Sequence, residues 1–132
     1  MGKYKFDIEF EIKASPRVLY PYISTASGLS GWFAEKVNIN NITKEFHFVW
    51  DNEDHYAKMT AHKVNHHVKF EFIPETKEDE EDPSYIEIHI ETNDLTQTTY
   101  LRITDYSDID DEEEVQELWV NQVNTLKETV GG

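Results

Sequence analysis

The chain has 132 residues, no Cys and a formal net charge of −15. That length suits one domain with a real core, here supplied by seven Phe, seven Tyr and three Trp, and it leaves no disulfide framework to consider. The acidity is local. Residues 75–82 carry six acids against one Lys and residues 105–114 carry seven acids and no base, together −12 of the total. Nucleic-acid binding needs a basic patch to replace the counterions on phosphate, so nucleic acid is excluded as a partner, and an anionic membrane surface with it.

Residues 4–13 alternate Tyr4, Phe6, Ile8, Phe10 and Ile12 with charged neighbours, the period of a half-buried strand. Ser15 then Pro16 pairs an N-cap with the residue favoured at the first helical position. The helix runs on through Val18, Leu19 and Tyr22. Pro21 predicts a kink or an early break, because an interior proline lacks its N–H and clashes with the preceding turn. A second short helix over 27–33 places Leu29, Trp32 and Phe33 on one face. Strands follow at 35–39, 45–50, 56–64 and 67–73. Phe46, Phe48 and Trp50 share a side in the second of these, Ala57, Met59 and Ala61 in the third, and Val68, Phe70 and Phe72 in the fourth. Residues 51–54 and 65–66 supply turns.

Residues 74–83 read as a mobile acidic loop bracketed by prolines, with little to bury. The strand at 85–92 turns Ile86, Ile88 and Ile90 inward and Glu87, His89 and Glu91 outward. The strand at 98–105 turns Leu101 and Ile103 inward and Tyr100 and Arg102 outward. From 111 to 130 the stripe Val115, Leu118, Trp119, Gln122, Val123, Leu126 and Val130 predicts a helix about 30 Å long. Acids at 110–114 complement its N-terminal dipole, and Gly131 and Gly132 end it. The order is strand, two short helices, about six further strands, and a long helix: an α+β domain spanning 1–132. Strands with one apolar face need a cover, and the last helix is the element large enough to provide it.

That order resembles the helix-grip fold of the START-like superfamily, which also contains pollen allergens, polyketide cyclases and activators of a heat-shock chaperone's ATPase. Ala14-Ser15-Pro16-Arg17-Val18-Leu19-Tyr20 and Ser27-Gly28-Leu29-Ser30-Gly31-Trp32-Phe33 carry the resemblance after the first strand. Val68-Lys69-Phe70-Glu71-Phe72 carries it in mid-sheet, and Glu117-Leu118-Trp119 in the closing helix. The second segment is similar to a short Trp-Phe helix of the chaperone-activator branch. The chain also looks like a small acidic START-like group from Bacteroidota. The resemblance implies a curved antiparallel sheet of about six or seven strands wrapped around the C-terminal helix. It further implies an apolar ligand between sheet and helix, lined by Phe48, Met59, Phe70, Phe72, Ile88, Leu101, Trp119 and Val123, with Trp32 and Phe33 near its mouth. The same residues would also serve as a plain filled core.

Gln122 is the polar position in the helix stripe and needs a partner: a strand hydroxyl, a water or a ligand. Glu87, His89 and Glu91 lie on the wet face, His66 and His67 sit at a turn, and the acids at 108–112 lack the calcium-loop pattern, so no metal and no cofactor is expected. No phosphate loop, nucleophile elbow or HExxH occurs, so no enzyme is expected. Two readings stay open: a carrier or sensor of a small apolar molecule, and a protein-interaction module with a filled core. The start, MGKYKFDIEFEIK, lacks the apolar core of a signal peptide, and no stretch has the ~20 apolar residues of a membrane span. The expectation is a cytoplasmic protein, monomeric or homodimeric.

Overall fold

Among the described residues, alternation of apolar and charged side chains becomes seven strands and four helices. The computed structural model describes residues 2–131. Gly132, expected to help close the last helix, lies outside them. In chain order the elements are β1 (Tyr4–Ile12), α1 (Pro16–Ser24), α2 (Ala26–Leu29), β2 (Lys36–Ile39), β3 (Phe46–Trp50), β4 (Glu53–Lys63), β5 (His67–Phe72), α3 (Lys77–Glu81), β6 (Tyr85–Asn93), β7 (Thr98–Ser107) and α4 (Glu112–Val130). The strands form one antiparallel sheet in the order β1-β7-β6-β5-β4-β3-β2. Every neighbouring pair from β2 to β7 is therefore a local connection, and β1 joins from the far end of the sequence.

One face of the sheet holds the core because the period-2 pattern is in register across strands. Ile8, Ile103, Ile88 and Val68 form one cross-strand row, and Phe6, Asp105, Ile86, Phe70 and Met59 the next. A register shift between Met59 and Ala61 bulges β4, which adds local twist and bend to the sheet. The β3–β4 hairpin closes through Asp51 and Asn52, both at positive φ, which two-residue hairpin turns require.

Helix α4 lies over the core face, nearest β1. Asp111 caps it, accepting from the Glu114 amide at 3.1 Å, and Gly131 at φ 90° ends it in the left-handed conformation. Val115, Trp119, Val123 and Leu126 are buried. Leu118, expected in that stripe, is 40 % exposed instead. It falls one residue short of Trp119, on the shoulder of the helix that faces an open cavity. Phe33 stands at the centre of the aromatic core, with ring centroids 5.1 Å from Phe48, 5.3 Å from Trp50 and 5.6 Å from Trp119.

Two expectations are corrected. Pro21 neither breaks nor ends α1, which runs on to Ser24. Pro21 is exposed, and the carbonyl that its ring leaves without an amide donor is that of the equally exposed Arg17, so water can satisfy it. The second short helix is regular only from Ala26 to Leu29. Trp32 and Phe33 follow in tight turns, their amides donating to the Leu29 carbonyl at 3.2 and 2.8 Å.

Residues 74–83 are likewise more ordered than their composition suggests. Thr76 caps the helix α3, accepting from the Asp79 amide at 3.1 Å. Lys3 pairs with Asp79 at 2.8 Å and donates to the Asp82 carbonyl, and the Tyr106 hydroxyl donates to the Asp82 carboxylate at 2.8 Å. The bond from Lys3 holds the Asp79 carboxyl below its usual range and raises the Lys3 ammonium. Among the described residues no helix is long and apolar enough to cross a membrane.

Candidate functional site

The outer face of the sheet is a solvated polar surface. His89 approaches Glu87 at 3.3 Å, and Arg102 pairs with Glu91 at 3.1 Å, the cross-strand partnership that their outward positions predict. No group of three or more His, Asp or Glu among the described residues could hold a metal ion. His67 and His89 are register partners with stacked rings 4.9 Å apart. Burial pushes the His67 imidazole below its ordinary value of 6.5, and the positive charge that His89 can acquire adds to the effect.

A histidine whose folded pKa lies below its unfolded value favours folding fully above the unfolded value. That contribution is lost as pH falls through about 6.5 toward the lower folded pKa. Between about pH 7.5 and pH 5, His67→Gln should therefore lose less stability than the parent chain. Urea-unfolding midpoints across that range provide the check, and parallel curves would show that His67 is solvated in the fold.

The other face holds the candidate site. A cavity of about 1100 Å³ opens between α4, the β3–β4 hairpin and the ends of β5, β6 and β7. Trp32 and Ala34 follow α2 into one wall, and Trp50, His55 and Tyr56 come from the hairpin. Phe72, Ile86 and Asp105 come from the sheet, and Leu118, Trp119, Asn121 and Gln122 from α4. Two indoles are fixed by backbone acceptors: Trp32 Nε1 donates to the Tyr22 carbonyl at 2.9 Å and Trp50 Nε1 to the Phe33 carbonyl at 2.7 Å. The third, Trp119, donates Nε1–H to Oδ2 of Asp105 at 2.9 Å. Asp105 is only 6 % exposed, and its cross-strand neighbours are the apolar Phe6 and Ile86. On α4, one turn beyond Trp119, Gln122 buries its Oε1 without a hydrogen-bond donor among the described residues.

Of the eleven side chains assigned to a ligand site from the sequence, Trp32, Phe72, Trp119 and Gln122 meet on this cavity wall. Phe33, Phe48, Phe70, Ile88, Leu101 and Val123 are fully buried in the core and do not reach it. Met59 lines a separate, smaller groove of about 410 Å³ with Ile39 and Phe46, beside Ser24 at the end of α1. Sequence reasoning missed Asp105, Trp50 and Tyr56 as members of the wall. For Asp105 a signal existed: inward positions on β7 run 99, 101, 103 and then 105.

A curved seven-stranded antiparallel sheet gripping a long C-terminal helix defines the helix-grip class of binding folds. The chain belongs to the START-like superfamily, whose domain model matches residues 1–132. Among solved structures it is similar to the Aha1 dimer from Colwellia psychrerythraea, at 19 % identity with 96 % of each chain covered and a TM-score of 0.75. It is similar to an uncharacterized protein from Bacillus thuringiensis, at 11 % identity with 98 % of this chain and 100 % of that one covered and a TM-score of 0.74. Protein MLL2253 from Mesorhizobium loti matches at 13 % identity, with 95 % of each chain covered and a TM-score of 0.72. No curated protein matches the sequence. Likenesses at this identity bear on the fold. Domains of this fold often bind ligands or mediate interactions and are generally binding domains rather than enzymes.

Proposed function

We propose that residues 1–132 form one non-enzymatic START-like domain that carries or senses a small molecule with an apolar body, held between the sheet and α4, in the cytoplasm. The observation that carries this reading is the cavity. Its volume of about 1100 Å³ is ample for a small molecule, and its wall combines aromatic side chains with acidic ones. A plain core would close such a space, because interiors pack to crystal density.

The test is thermal stabilisation by a panel of apolar compounds of graded length and headgroup. A compound at a hundred times its Kd adds about 2.7 kcal/mol to stability if it binds only the folded chain. Leu118→Trp should abolish that shift without unfolding the protein, because Leu118 is a half-exposed wall residue and an indole there would occupy the space.

A panel without any shift would favour the second reading, a protein-interaction module working as a monomer or homodimer. The dimer of the structurally similar Aha1 and the fully buried aromatic core of Phe33, Phe48 and Phe70 support that alternative.

A further inference from the structure

The chemistry of the cavity's polar groups narrows the ligand class, on the reading that the cavity holds a ligand at all. Its buried polar side chains are acceptors short of donors. Asp105 sits at the floor with a single neutral donor, the Trp119 indole, and no cationic side chain among the described residues pairs with it. A buried carboxylate without a counter-charge is costly, since low-dielectric surroundings replace its hydration. Gln122, one helical turn along, presents an Oε1 with no donor among the described residues. What both groups lack is one positively charged hydrogen-bond donor, and an ammonium supplies three N–H groups on a compact charge.

The rest of the wall agrees in sign. Ten lining residues are Asp or Glu and none is Lys or Arg. Three of the ten already have cationic or His partners, Asp79 with Lys3, Asp54 with His47 and Glu53 with His55. The others leave a cleft of one charge with apolar walls, which focuses the field on an incoming cation and repels an anion. Trp32 and Trp50 add aromatic surface to the wall, which suits an apolar chain and can attract a cation. The geometry points to a protonated primary amine with an apolar tail as the ligand class: ammonium on Asp105 and Gln122, tail along Trp32, Trp50 and Leu118.

Calorimetric titration of the full chain with octylamine, 1-octanol and octanoate tests this, each below its micelle concentration at about pH 7, where the amine is protonated and the acid ionised. Octylamine should bind about ten-fold more tightly than octanol, with octanoate weakest, as charge-assisted hydrogen bonds to a buried carboxylate require. Asp105→Asn keeps an acceptor for Trp119 and should bring octylamine close to the affinity of octanol, whose own affinity should change far less. Gln122→Glu, a second variant independent of β7, should tighten octylamine about five-fold. Equal binding of octylamine and octanol, tightest binding of octanoate, or variants without effect on the amine would overturn the charge inference and leave the carrier reading standing. Binding of none of the three probes would overturn both.

Discussion

Trp119→Ala should lower folding stability by about 3–5 kcal/mol, the range for truncating a large buried aromatic. Trp119 is 1 % exposed and does two things at once. Its ring packs on Phe33, joining α4 to the aromatic core, and its Nε1–H satisfies the buried Asp105. Alanine would leave a void and a carboxylate with no donor, and each is destabilising alone. Trp119→Phe helps to separate the two, since it keeps an aromatic ring while losing the N–H and part of the indole's bulk; its cost should be about 1–3 kcal/mol. Urea denaturation with an unchanged slope reads both. An unshifted midpoint for Trp119→Ala would mean that α4 presents a different face to the sheet.

Gly28→Ala should cost about 3 kcal/mol, at the upper end of overpacking substitutions, although it adds a single methyl group and would be a good helix residue on propensity. A Cβ at position 28 would sit 2.1 Å from the Pro21 carbonyl oxygen and 2.7 Å from the Tyr22 Cα, both backbone atoms that cannot swing aside. That oxygen is also committed: the Thr25 amide and hydroxyl donate to it at 3.2 and 2.8 Å, and Thr25 Oγ1 in turn caps α2 by accepting from the Gly28 amide at 3.0 Å. The close crossing of α1 and α2 sets where Trp32 and Phe33 leave the turn, so the variant should also perturb the cavity wall. Melting-temperature comparison with Gly31→Ala, where the nearest atom would lie 3.6 Å away, controls for the loss of glycine itself.

The strands and α4 were legible because each has one wet and one dry face, which writes a period of 2 or 3.6 directly into residue order. Phe6-Ile8-Phe10-Ile12 and Ile86-Ile88-Ile90 are examples, and Asp111 with Gly131 marks both ends of α4 within a residue. The cavity was legible only in part, because it lies at strand ends and turns, where periodicity carries no signal. Trp50 and Tyr56 face it across the hairpin that joins β3 to β4, a relation of tertiary structure. Asp105 was absorbed into the acidic run ahead of α4, although alternation along β7 put it inward. Its partner could have been sought too, since a buried indole usually finds an acceptor. Helix α3 was masked by composition: the charge of 74–83 argued for disorder, while Thr76 and Asp79 at capping spacing argued for a helix start.

The strand order has a consequence in time. From β2 to β7 every pairing closes a short stretch of chain, so these hairpins can zip up one after another as the polypeptide emerges. Strand β1 is made before the other six, yet among the described residues it pairs in the sheet with β7 alone, with Tyr4 opposite Ser107 and Ile12 opposite Thr99. It must wait until β7 has been synthesised while presenting a row of unpaired amides and five apolar side chains. Such a strand invites pairing with a second nascent chain. Asp7, Glu9 and Glu11 on its other face put like charges on any two copies that meet, which guards the strand during its wait. When β7 arrives the guard is met by specific partners: Asp7 accepts from the Thr104 hydroxyl, and Glu9 comes to lie opposite Arg102. The pairing with the largest loop to close is thereby placed at the seam of β1 and β7, and the charges of β1 serve the unfinished chain as much as the finished one.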